Sequence, residues 1–333
     1  MKYLGLHLDN RWGFEEHFGR LVPRIERAAG AMHRLQPNLG GPREEVRRLY
    51  AGVIRSVALY GAPVWAKRLA IQRCRAKIYR VQRRMAIRIE SGYRTVSFEA
   101  ATLLARFPPL DILADMDARV YDWTRVLRQS VGSEPDEVFE GVKRQERINA
   151  FETWRARLSE ERYACKRVVG AIPPHFEAWM HRRTGRLTYR LTQIMTGHGC
   201  FGDYLCKIGR EATANCFHCG GQEQDSASHT LATCPAWERE RTVLVSWIGH
   251  NLSLPAVVSA MLSRDSAWRT VATFCESVMI QKEAAERCRE RTDPARRRRR
   301  QGVRQGPPLD DGVPLPETEP RGLRALGAGT PSV

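Results

Sequence analysis

Cys216-x2-Cys219-x9-His229-x4-Cys234 places three thiols and one imidazole within 19 residues. No other feature of the chain constrains its folding as strongly. Two residues between cysteines let the backbone reverse around one ion, and a His-x4-Cys pair closes a tetrahedron from one turn of helix or a tight loop. Zn²⁺ has no ligand-field demand of its own and favours such a Cys₃His set. Gly220-Gly221 follow the first pair, where a knuckle needs backbone freedom. Asp225 and Ser228 are candidates for hydrogen bonds that orient the ligands. His218, between the two cysteines, is the rival ligand. Four protein ligands close the site, so the expected role of zinc is structural, not catalytic. The other cysteines, Cys74, Cys165, Cys200, Cys206, Cys275 and Cys288, are scattered and read as small core hydrophobes. An odd total of nine, with no secretory leader, argues against a disulfide framework. The expectation is an intracellular protein that is not secreted.

Around this module the periodicity is mainly helical. Residues 2–9 alternate and read as one short strand, turned by Asp9-Asn10. Phe14, Phe18, Leu21, Val22, Ile25, Ala29 and Met32 share one helical face, with a kink or a break expected at Pro23. Pro37 to Pro42 is turn chemistry. A second helix then carries a stripe of Val46, Leu49, Tyr50, Val53, Ile54 and Val57. A third is expected over about 66–91, buried through Ile71, Ile78, Val81, Met85 and Ile89. Ser97 reads as a helix cap for 98–105. Leu110, Leu113, Met116, Val120, Trp123 and Leu127 continue as another helix, and a loop runs from Gly132 through Pro135. Phe139, Val142, Phe151, Trp154 and Leu158 mark a further helix. Residues 292–333 hold 7 Pro and 6 Gly and read as a disordered tail containing the run Arg296 to Arg300. No stretch reaches the ~18 apolar residues a membrane span needs.

The charge is uneven. The chain carries 54 Lys+Arg against 37 Asp+Glu, and residues 1–110 alone hold 21 against 8. A field confined to one third attracts a polyanion, and nucleic acid is the common one inside cells. Within it, Arg73, Lys77, Arg80, Arg84 and Arg88 span only about 80° of the third helix at 100° per residue. Residues 67–94 contain ten Lys/Arg and one acid, Glu90. Like charges at this spacing destabilise a helix by a few tenths of a kcal/mol per pair, which alternating Glu would relieve. The stripe is therefore expected to face an external anion. No phosphate-binding loop or dinucleotide fingerprint occurs, and the adjacent acids Asp310-Asp311 lie in the tail. From the residues alone, this is a binding protein with a zinc module and no legible catalytic constellation.

Four segments add a resemblance. Lys2-Tyr3-Leu4-Gly5-Leu6-His7-Leu8-Asp9 resembles the short motif at the palm's exit in reverse transcriptases of non-LTR retrotransposons. Residues 37–42, Arg48-Leu49-Tyr50 and Leu59-Tyr60-Gly61-Ala62-Pro63-Val64-Trp65-Ala66 resemble the thumb of type-1 retrotransposable elements. Residues 191–201, with Tyr204-Leu205, resemble the segment before that family's carboxy-terminal zinc motif, which Cys216, Cys219, His229, Cys234 and Pro235 match. The pieces occur in the same order over about residues 2–240. The family places Glu before the zinc histidine, where this chain has Ser228.

The resemblance implies a carboxy-terminal fragment of a Pol polyprotein. The expected plan is a palm-edge strand and helical thumb over 1–131, a helical connector over 132–210, a zinc module with flanking helices over 211–291, and the tail over 292–333. The implied parent activity is RNA-directed DNA synthesis, with the polymerase palm, its Mg²⁺ and the endonuclease expected upstream. The expected partners are RNA, DNA and those upstream domains, with no membrane, and the implied place of action is the nucleus. A stand-alone or domesticated zinc-containing RNA- or DNA-binding protein is the alternative, and a helical scaffold for another protein is a third reading.

Overall fold

A computed structural model of the protein describes residues 1–33, 37, 39, 41–130, 136–164, 167–221, 223–296 and 298–299. The chain begins with strands β1 (Lys2–Tyr3) and β2 (Leu6–His7). The helices that follow are α1 (Glu15–His33), α2 (Glu44–Ala58), α3 (Ala62–Trp65), α4 (Gln72–Ile89) and α5 (Phe98–Leu104). Next come α6 (Leu110–Ser130), α7 (Asp136–Leu158), α8 (Glu161–Ala164), α9 (Arg167–Ala171) and α10 (Phe176–His181). The last are α11 (Tyr189–Thr196), α12 (Gly202–Lys207), α13 (Glu238–Ile248), α14 (Leu254–Ser263) and α15 (Asp265–Thr292). The expected mainly helical class, with a short amino-terminal strand element, is what forms.

The single strand expected over 2–9 is instead a hairpin, with Lys2 opposite His7 and Tyr3 opposite Leu6. Leu4 and Gly5 both have positive φ (45° and 86°), the conformation a two-residue hairpin turn requires. Asp9 then turns the chain as expected. Its carboxylate accepts the backbone N–H groups of Arg11, Gly13 and Phe14 at 3.0, 2.8 and 2.7 Å. α1 runs unbroken through Pro23. Phe18, Leu21, Ile25 and Ala29 on its inner face are buried, so tertiary packing offsets the hydrogen bond proline cannot make. Ser97 caps α5 as expected, its Oγ accepting from Ala100 N at 3.3 Å.

α2 departs from its sequence pattern. Leu49 is 67% exposed, and Val46 and Val53 are also exposed. The buried side carries Ile54, Ala58 and the 2%-exposed Arg47. That guanidinium donates to three carbonyls: Pro42 O (2.9 Å), Arg88 O (2.7 Å) and Pro37 O (2.5 Å). A buried arginine satisfying loose backbone ends thus occupies the position that the aliphatic stripe suggested for valine and leucine. The third helix also starts later than expected. Residues 66–70 form a 3₁₀ turn, Ile71 is extended (ψ 117°), and α4 begins at Gln72.

α6 and α7 pack as an antiparallel hairpin. Leu110 and Leu113 anchor one leg, and Ala150, Trp154 and Leu158 the other. Trp123, one of the apolar series that marks this helix in the sequence, is 54% exposed, and Tyr121 and Val126 beside it are exposed too. The hairpin's base is in the core and its outer half is not. α15 is the longest helix among the described residues. It buries Trp268, Val271, Phe274, Cys275, Val278 and Met279 against α11, α13 and α14. One continuous core runs from Leu6 to Met279.

The packed body extends past residue 291. Arg296, read from sequence as part of the tail, is 4% exposed. It pairs with Glu211 at 2.5 Å and approaches Glu286 at 4.0 Å. Arg297, Arg300, the rest of the expected tail from 301, the loop at 131–135 and Cys165 lie outside the described residues. Cys74, Cys200 and Cys275 are buried as expected, Cys206 is half-buried, and Cys288 is exposed. No helix among the described residues is long and apolar enough to cross a membrane.

Candidate metal centre and nucleic-acid face

The knuckle is built by a backbone ladder. Cys216 N donates to Glu223 O and Asp225 N to Ala214 O, both at 2.8 Å, so the chain leaves and returns side by side. Between these bonds the turn passes through Gly220 and Gly221, at φ +87° and +80°. Among the described residues nothing lies within 4 Å of a Cβ built at either glycine, so the requirement is conformational rather than steric. The other half is a single π-helical turn, His229–Thr233, closed by Cys234 N donating to His229 O at 2.8 Å. In an α-helix, residues five apart point about 140° away from each other. The wider i→i+5 turn lets His229 and Cys234 converge instead.

The ligand atoms of Cys216, Cys219, His229 and Cys234 all lie within 4.8 Å of one another. Cys216 and Cys234 are 3.9 Å apart at sulfur, and Cys219 Sγ is 3.4 Å from His229 Nε2. The imidazole's other nitrogen, Nδ1, sits 3.1 Å from Thr233 Oγ1. A hydrogen bond there leaves Nε2 free to present a lone pair to an ion. Burial pushes the Cys216 thiol up to about 12 and raises that of Cys234. A divalent cation would reverse this, because a coordinating thiol is deprotonated. The set fits a four-coordinate ion.

His218, the rival ligand, is outside the cluster. Its ring packs on Trp237 with centroids 5.0 Å apart, and burial lowers its pKa to about 4. Neither residue expected to orient the ligands does so directly. Ser228 Oγ accepts from Arg167. Asp225 accepts from Lys282 Nζ at 2.6 Å and Gly202 N at 3.0 Å, stitching the module to α15 and α12. The sequence reading missed Thr233; its signal was a hydroxyl four residues after the histidine.

On α4, Arg73, Lys77, Arg80 and Arg84 are exposed along one face, with Arg88 half-buried at its end. The structure corrects the expectation that this face lacks counter-charges. α1 packs against α4 and pairs Glu15 with Arg73 and Glu26 with Arg84, the latter at 3.3 Å. Among the described residues, Lys77, Arg80 and Arg88 form no ion pair. Arg83, on the opposite side, is buried and donates to Val96 O at 2.7 Å and Arg94 O at 2.5 Å.

No family model matches the chain, and no solved structure matches it. Curated proteins do. Over 271 residues it is 26% identical to the Retrovirus-related Pol polyprotein from type-1 retrotransposable element R1 4 of Nasonia vitripennis, covering 79% of this chain and 67% of that one. Over 300 residues it is 26% identical to the Putative 115 kDa protein in type-1 retrotransposable element R1DM of Drosophila melanogaster, covering 85% and 28%. Its homologues are proteins of R1-type non-LTR retrotransposable elements. A third such relative, the R1 Pol polyprotein of Bradysia coprophila, is 26% identical over 291 residues. The retrotransposon resemblance read from sequence is thereby supported over most of the chain. The chain spans 28% of the Drosophila and Bradysia relatives' length.

Proposed function

We propose that the chain is the nucleic-acid-holding carboxy-terminal part of a Pol-type RNA-directed DNA polymerase from an R1-like retrotransposable element. The observation that carries this reading is the similarity to R1 relatives over 79% and 85% of the chain. On this reading residues 1–131 form the palm edge and thumb, 132–210 a connector and 211–291 the zinc module. Cys216, Cys219, His229 and Cys234 would hold Zn²⁺, which when bound supplies folding free energy and no chemical step. Arg73, Lys77, Arg80, Arg84 and Arg88 contact backbone phosphates of a template–primer or target duplex, which positions the duplex without reading its bases. Polymerase and endonuclease domains, with Mg²⁺ in the former, are the partners, and the target DNA places the reaction in the nucleus.

A salt titration tests this. The zinc-loaded chain should bind a labelled RNA–DNA duplex with a slope of log K against log salt that flattens by about 4 to 5 when all five α4 cations become Gln. Base preference should not move. An unchanged slope would return the face to solvent.

A further inference from the structure

A cleft of about 680 Å³ opens between α2, α6, α7 and the segment following α5, and none of the five α4 cations lines it. Its walls carry Arg48, Arg55, Arg106, Lys143, Arg144 and Arg147, against the acids Asp117 and Glu140. Glu140 is already engaged by Lys143 Nζ at 2.7 Å. The floor is apolar, with Phe107, Met116, Val120 and Phe151. Arg48, Ala51, Gly52 and Arg55 come from one face of α2, at the i, i+3, i+4, i+7 spacing.

Positive charge is also in surplus beside this floor. Glu44 faces three guanidinium groups: Arg106 at 3.0 Å, Arg48 at 3.7 Å and Arg182 at 3.9 Å. Arg48 and Arg106 line the cleft. Among the described residues, Arg106 Nε and Arg182 Nη2 are buried with no hydrogen-bond partner. Burial, together with the charge of Arg106, lowers Arg182 to about 9. Three cations around one carboxylate repel one another in a region of low dielectric, and an entering anion relieves that repulsion.

We infer that this cleft binds a short segment of single-stranded nucleic acid, with phosphates on Arg48, Arg55, Arg144 and Arg147 and a base against the half-buried Phe151. A cationic groove beside aromatic and apolar surface is the arrangement that holds single strands without sequence preference. The volume is that of a small-molecule site, roughly 300–1,000 Å³, which admits an unpaired nucleotide but not a duplex. The inference rests on the nucleic-acid reading above but assigns a second site with a different form of ligand.

The test uses the zinc-loaded chain with a labelled oligo-deoxythymidine and, separately, a labelled RNA–DNA duplex. Two variants isolate the cleft. Arg55→Gln/Arg144→Gln/Arg147→Gln removes three exposed cations. Gly52→Phe fills the space while keeping every charge, at a helical position where a Cβ meets nothing within 4 Å. The triple variant should flatten the single-strand salt slope by about 2, at ~0.7 per phosphate. Gly52→Phe should weaken single-strand binding at least tenfold. Both should leave duplex binding unchanged, whereas the α4 Gln variant should show the opposite pattern. Single-strand binding that is absent in the parent, or untouched in both variants, overturns the cleft assignment while duplex binding keeps the broader reading. Loss of both ligands in the parent chain overturns the broader reading and this one with it.

Discussion

Lys282 is a charged side chain only 1% exposed, with its ammonium 2.6 Å from Asp225 Oδ1 and 5.4 Å from the centroid of the Phe201 ring. Breaking such a pair on one side leaves an uncompensated buried charge, which costs about 3–5 kcal/mol. Lys282→Met should therefore lower the urea midpoint strongly. Lys282→Met/Asp225→Asn should recover a large part of the loss, because Asn keeps an acceptor for Gly202 N and carries no charge. A double variant as unstable as the single one would show that the charge itself is not what matters. Residue chemistry at the metal centre was legible where it is local. The four ligands and the two glycines lie within 19 residues, and their spacing expresses their geometry. Asp225 was singled out for the wrong partner, because Lys282 is 57 residues away and helical periodicity says nothing about which α15 side chain turns inward.

At the scale of elements, the five α4 cations share a face because their spacing puts them there, and this was readable. That α1 would lay Glu15 and Glu26 beside them was not, since it depends on how two helices pack. These pairs are exposed and worth about 0–1 kcal/mol each, so a phosphate can replace a carboxylate at little cost. They still place two negative charges next to the proposed path of a polyanion. Glu15→Gln/Glu26→Gln should therefore tighten duplex binding at low salt, and the gain should shrink as salt rises. Unchanged affinity at low salt would place the nucleic acid elsewhere. α2 shows the converse limit. Val46, Leu49 and Val53 make a convincing stripe, yet Arg47 takes the inner position. Three backbone carbonyls close enough to receive one guanidinium exist only after Pro37, Pro42 and the end of α4 have come together.

For the whole molecule, the decisive question is whether the Cys/His module is an appendage or part of the body. Ligand spacing alone suggests a local unit over about 211–240 that opens when the metal is stripped. The packing argues for a larger one. Cys216, Leu231, Cys234 and Trp237 belong to the same continuous core as the α15 residues Val271 to Met279. Lys282 reaches Asp225, and the Arg289 guanidinium lies 4.4 Å from the centroid of the Phe217 ring. Arg210 and Arg296 tie Glu286 and Glu211 together at the far end of the same helix. Metal binding free energy is folding free energy for whatever unit the ligands anchor, and cooperative units follow contiguous packing rather than sequence distance. Chelation should therefore cost hydrogen-exchange protection not only around the ligands but along α15 and in α13, which packs against it. Amides of α1 and α4, joined through contacts that do not involve the module, should keep theirs. The measurement is amide exchange read by mass spectrometry on peptides from each helix, with and without a strong chelator. Loss confined to residues 211–240 would make the module a separate unit; loss that spreads equally to α1 and α4 would make the chain one cooperative body.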